Sequence, residues 1–115
     1  MNVDRLHAHS VRAAALLKAL ANDRRLMILC VLAEGERTVG ALEAKVGLSQ
    51  SALSQHLARL RREGLVTTRR AAQHIHYRLT SAEAQMIIDT LASLYCPAGL
   101  EEPKAAPPDP PVVST

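Results

Sequence analysis

Phenylalanine and tryptophan are absent from these 115 residues, and tyrosine occurs only twice. Any core must therefore be aliphatic, built from Leu, Ala, Val and Ile, in a chain that is still 48% apolar. The same shortage bears on binding. Proteins that grip single-stranded nucleic acid stack the bases on aromatic rings, and almost no rings are available here. No apolar run approaches the roughly 20 residues that span a bilayer. The start, Met1 to Leu6, lacks the charged-then-apolar layout of a secretory leader. A cytoplasmic location with no membrane partner and reduced thiols is the expectation. The two cysteines, Cys30 and Cys96, do not form Cys-x-x-Cys, and neither a glycine-rich phosphate loop nor a catalytic triad can be traced. These absences point away from a thiol enzyme, and indeed from any enzyme. No cofactor is expected.

The net charge of +3 is unevenly spread. Residues 49–78 hold six Arg and one Glu, whereas residues 101–115 hold three acids and one Lys, so the rest is close to neutral. A solvated basic face is the plain alternative, but concentration in one segment favours tracking a phosphate backbone. Duplex DNA is the expected partner.

At this length the chain has room for one modest core. Asp4 to Leu20 reads as a first helix rich in Ala and Leu. Asn22 or Asp23 can cap a second helix to about Ala33, with Gly35 as its stop signal. Thr38 to Val46 fits a short third helix closed by Gly47. After the Gly47-Leu48-Ser49 turn a fourth helix runs on to Gly64, completing a helix-turn-helix unit. Leu65–Arg70 and Ile75–Leu79 have strand character, the second alternating Ile75, Tyr77 and Leu79 with His76 and Arg78. A hairpin tip over Ala71–His74 joins them. Ser81 can cap a last helix with an apolar stripe of Ala84, Ile87, Ile88, Leu91 and Leu94. All six prolines lie at or beyond position 97, so that helix ends at Cys96-Pro97. Residues 1–97 are expected to form the folded unit and 98–115 a Pro-rich disordered tail. The fold expected is mostly α with a small β-hairpin wing. The first and last helices carry more apolar surface than so small a unit can bury internally. A homodimer through those two helices is therefore expected, presenting two reading helices to a palindromic site about one DNA turn apart.

The chemistry sits on the fourth helix. Leu53, Leu57 and Leu60 recur at spacings of four and three and mark one face. Ser51, Gln55 and Arg62 fall nearly opposite, flanked by Ser54 and Arg59, and Gln50 opens the first turn. Ser and Gln can exchange hydrogen bonds with base edges while Arg reaches phosphate. An ordinary solvated helix would show the same amphipathicity. The hairpin that follows tips the balance, since Arg69, Arg70, Gln73 and His74 are placed to touch sugar-phosphate or an adjacent minor groove.

These elements resemble the ArsR/SmtB family of bacterial winged-helix repressors. The residues that carry the resemblance are Leu17 to Leu29 (LKALANDRRLMIL), Ser51 to Leu57 (SALSQHL), Arg62 to Val66 (REGLV) and His76 to Leu79 (HYRL). They span about residues 12–96. The resemblance implies a helical homodimer that binds operator DNA and leaves it when an inducer is sensed. Two familiar metal sites of the family are missing. One would need cysteines near Thr38 and Gly40, and the other a histidine-bearing last helix, whereas Asp89 here is followed by Leu91 in a helix without His. His7 and His9 do not share a helix face. His74 and His76 can share a strand face, but two ligands alone rarely make a site. No metal is expected.

Cys30, in line with Leu26 and Ala33 on the second helix, reads by itself as a small buried hydrophobe. Cys96 differs, since it ends the last helix beside Pro97, where partial exposure is expected. Their placement together resembles the sulfide- and persulfide-responsive (BigR/SqrR-like) branch of the family. That resemblance implies that reactive sulfur species bridge Cys30 and Cys96 and free the operator. Three alternatives stand beside it: a thiol-based peroxide sensor, a soft-metal or arsenical sensor lacking an evident third ligand, and a winged helix that binds only protein.

Overall fold

The computed structural model describes residues 2–96. Along the chain these form α1 (Val3–Ala8), α2 (Ser10–Leu20), α3 (Asp23–Glu34), β1 (Arg37–Thr38), α4 (Val39–Val46), α5 (Gln50–Arg62), β2 (Val66–Ala71), β3 (His74–Leu79) and α6 (Ala82–Tyr95). The strands make one antiparallel sheet in the order β1-β3-β2. Helices dominate and β2–β3 is the wing, as the sequence leads one to expect. The proposed tail over 98–115 lies outside the described residues. None of the described helices is long and apolar enough to cross a membrane.

Local chemistry sets most of the boundaries. Asn22 caps α3, its side-chain oxygen accepting from the Arg24 and Arg25 amides at 3.0 Å each. Thr38, Ser49 and Ser81 cap α4, α5 and α6 in the same way, accepting from the amides three residues on. Gly47 closes α4 at φ 69 and ψ 28, left-handed values that glycine adopts without strain. Gly64 does the same after α5 at φ 77. There the Gly64 amide donates to the Arg61 carbonyl and the Leu65 amide to the Leu60 carbonyl, each at 3.0 Å. This is a Schellman motif whose two apolar members, Leu60 and Leu65, are both buried. It pins the angle at which the wing leaves α5.

The core is aliphatic throughout. Ile28, Leu29 and Leu32 of α3 meet Leu42 of α4, Leu53, Leu57 and Leu60 of α5, Val66 of β2, and Ala84 and Ile88 of α6. Ala19 and Leu20 close one end. The stripe read on α5 is thus the stripe that is buried.

Three expectations need correction. The first helix is not continuous, because His9 departs to φ −114 and ψ 18 and separates α1 from α2. α1 buries none of its residues, so no packing holds it in line. A third strand also exists. β1 is only two residues long, below any periodicity, and pairs Arg37 with Tyr77 and Thr38 with His76. Finally, the hairpin tip is tighter than the four residues expected. Ala71 pairs with His74, leaving a two-residue turn in which Ala72 takes a left-handed φ of 57.

Candidate nucleic-acid interface and thiol pair

Burying Leu53, Leu57 and Leu60 fixes the rotation of α5 and so decides what its outer face shows. Ser51, Gln55 and Arg62 are exposed there, with Ser54 exposed at its flank, while Gln50 shares the Leu53 and Leu57 side and is exposed at the open start of the helix. Arg59 is turned toward the flank, half-exposed, with its Nε 3.7 Å from Glu63. Ser49 occupies the N-cap, and the exposed start of the helix carries the positive end of its dipole. Short hydrogen-bonding side chains in the first turns and cations in the last suit a helix that enters a major groove end-first.

The wing extends this surface. Arg69, Arg70, Gln73 and His74 are exposed, as the sequence suggested. The register sorts them, however. Arg69 pairs with His76, and Thr67 with Arg78, which puts those cations on one sheet face. Arg70 pairs with Ile75 and belongs to the opposite face, the one that Val66 anchors in the core. Arg69 is also not free. Its guanidinium donates to both carboxylate oxygens of Glu36, with Nε–Oε2 and Nη2–Oε1 at 2.8 Å.

The sequence reading missed three ionisable groups in and around this region. Glu36 is the first, and 33 residues separate it from Arg69. Arg25 is the second, buried with its Nε 2.7 Å from the Ala19 carbonyl and its Nη2 3.1 Å from that of Lys18. Burial weakens its hold on its proton, as does the nearby charge of Arg59, against an opposing pull from Glu63. His56 is the third, half-buried on α5 toward the start of α3. Burial first, then Arg25 and Arg24, holds its pKa below the ordinary histidine value, with Asp23 opposing.

Cys30 and Cys96 are both free thiols. Cys30 is half-buried against the core beside Leu26 and Ala33, and Cys96 is exposed at the C-cap of α6. α6 packs on α3. Burial pushes the Cys30 thiol pKa up, and the charges of Cys96 and Glu34 push it further. Among the described residues, no group of three or more His, Cys, Asp or Glu is arranged to hold a metal ion. On the outside, Val11 and Leu17 of α2 and Met86 and Leu94 of α6 remain exposed.

Comparison with known proteins agrees with this geometry. Residues 22–68 match the family described as bacterial regulatory protein, arsR family. The transcriptional activator HlyU of Vibrio cholerae is 53% identical over 98 residues, which cover 85% of this chain and 91% of HlyU. The crystal structure of the transcriptional repressor BigR from Xylella fastidiosa superposes with a TM-score of 0.80 at 42% identity, covering 84% of this chain and 98% of BigR. A homodimeric winged helix-turn-helix DNA-binding domain from Mycobacterium bovis superposes with a TM-score of 0.68 at 35% identity, covering 80% of this chain and 85% of that domain.

Proposed function

The chain belongs to the ArsR family of bacterial regulatory proteins, DNA-binding transcriptional regulators rather than enzymes, and from that premise we propose a homodimeric repressor switched by its two thiols. In this reading the reduced dimer holds a palindromic operator, and reactive sulfur species release it by joining Cys30 to Cys96. The observation that carries it is the placement of these two free cysteines, one on α3 and one at the end of α6, on helices that pack against each other.

The chemistry balances with a persulfide as oxidant. The exposed Cys96 thiolate attacks the outer sulfur of a persulfide donor, forming an S–S bond and expelling the donor thiolate. Cys30, once deprotonated, attacks the inner sulfur of the Cys96 persulfide and expels hydrosulfide. The result is one disulfide, with the donor's sulfane sulfur reduced to sulfide. Where a second donor first passes its outer sulfur to Cys30 and leaves as the thiolate, the Cys30 persulfide attacks the inner sulfur of the Cys96 persulfide, expels hydrosulfide and leaves a three-sulfur bridge.

Support for dimerisation comes from the apolar residues left exposed on α2 and α6 and from the homodimeric relative in Mycobacterium bovis. Support for repression comes from the likeness to BigR. A bridge from α3 to the last turn of α6 would tie the body that carries α5 to a helix of the dimer face. Two reading helices must meet two half-sites at once, so a small change in their separation costs contacts on both. The test is a titration of an operator selected from a random duplex library, before and after a persulfide donor. Wild type should release the duplex, and Cys30→Ser and Cys96→Ser should both stay bound. Release by either single variant overturns the two-thiol switch. Release by peroxide but not by persulfide would make the protein a peroxide sensor instead.

A further inference from the structure

On the wing, Arg69, His76 and Arg78 share one sheet face, and a carboxylate from outside the wing reaches across to it. Glu36 stands in the link between α3 and β1. Its Oε2 accepts from Arg69 Nε at 2.8 Å, while its Oε1 accepts from Nη2 at 2.8 Å and from Nε at 3.1 Å. The whole Nε–Nη2 edge of the guanidinium is thereby filled. That edge is one of the two with which a guanidinium can hold a phosphate in a two-point contact, and the bound carboxylate also cancels the charge of the whole group. The Glu36 carboxyl is held below its ordinary pKa chiefly by the bonds from Arg69, against some desolvation. The charges of Arg69, His76 and Arg78 add to the effect. A carboxylate facing three basic groups stays charged.

We propose that Glu36 is a specificity-determining residue that occupies Arg69 as an internal phosphate mimic and so weakens sequence-independent binding to duplex phosphate. The reading face of α5, with Ser51, Ser54 and Gln55, carries no part of this pair and keeps its contacts with bases. The effect of the latch is to lower the protein's hold on any duplex while sparing discrimination among duplexes. A wing cation already neutralised inside the protein releases no DNA counterion when it docks. This inference rests on the duplex-binding reading and is independent of the sulfur chemistry.

The experiment uses the full chain with its thiols reduced, a duplex of random sequence, and salt from about 50 to 200 mM, where phosphate contacts dominate the response. Glu36→Gln keeps the side-chain shape and removes the charge. It should tighten binding several-fold at the low end and steepen the log–log salt slope by about 0.9 for each protomer in contact. Arg69→Gln alone should leave the slope as in wild type, and Glu36→Gln with Arg69→Gln should return it there. That return also shows that the steeper slope is not a folding artefact. Weaker binding by Glu36→Gln, an unchanged slope, or a shallower slope for Arg69→Gln alone overturns the latch. Failure of both wild type and Glu36→Gln to bind the duplex at about 50 mM salt overturns both the latch and the duplex-binding reading. Binding that is unchanged by Glu36→Gln overturns the latch alone.

Discussion

Arg25 is the one charged side chain among the buried residues described, at 7% exposure. It acts as a cap supplied by a neighbouring helix. The last carbonyls of α2 have no partner within their own helix, and Arg25 donates to two of them, Ala19 at 2.7 Å and Lys18 at 3.1 Å. The Lys18 carbonyl has a second donor in the Ala21 amide at 3.3 Å, so removing Arg25 strands chiefly the Ala19 carbonyl. Arg25→Met keeps most of the stem and deletes the fork. A stranded buried carbonyl costs about 1–3 kcal/mol, and loss of a cation near a helix C-terminus costs about 0.5 kcal/mol more. Relief from burying a guanidinium beside Arg59 offsets part of this. A net loss of about 2 kcal/mol is expected. Urea unfolding followed by far-UV circular dichroism, at one fixed protein concentration, should show a lower midpoint with an unchanged slope. In a thermal scan the same loss amounts to about 8–16 °C for a domain of this size. Arg25→Lys, which can replace one bond but not the fork, should fall between. A change for Arg25→Met within about 0.5 kcal/mol, the usual range for surface substitutions, would refute the capping role.

Other substitutions separate folding from reading. His56 is held below its ordinary pKa in the fold, so the unfolded chain binds more protons as the pH falls through the histidine range. Its contribution to stability is therefore complete above about pH 6.5 and lost progressively below it. His56→Gln should flatten the urea midpoint between about pH 6.5 and 5, and an equally steep profile would show that His56 is not the group responsible. Gly47→Ala meets no atom within 4 Å of the added Cβ but sits at φ 69. It should cost about 1–2 kcal/mol of stability from backbone strain alone, measured by urea unfolding. Gln55→Ala should lose about 1–3 kcal/mol of operator affinity with no change on a random duplex. Arg62→Ala should weaken both and reduce the salt slope, each read by fluorescence anisotropy.

What was legible in the sequence was what local chemistry decides. The spacing of Leu53, Leu57 and Leu60 gave the buried face of α5 and, by difference, the outward set of Ser51, Gln55 and Arg62. Asn22, Ser81, Gly47 and Gly64 announced their helix ends because capping acts within three or four residues. Contacts between distant residues were not legible. Nothing near Glu36 marks it as the partner of Arg69, and a buried arginine looks like a surface one until the carbonyls of α2 are brought beside it. β1 escaped because two residues have no period, and the break at His9 because no packing holds α1 in line. Cys30 and Cys96 were legible as residues. That their two helices pack together was not, because α6 is laid on α3 only by the fold.

The central claim is that joining Cys30 to Cys96 ends operator binding. Its most direct measurement takes the persulfide-treated protein, isolates the species in which mass spectrometry finds Cys30 and Cys96 peptides linked, and titrates it onto labelled operator before and after reduction. The bridged protein should bind at least about tenfold more weakly, ~1.4 kcal/mol, and reduction should restore the original affinity. A bridged protein that binds as tightly as the reduced one would contradict the account.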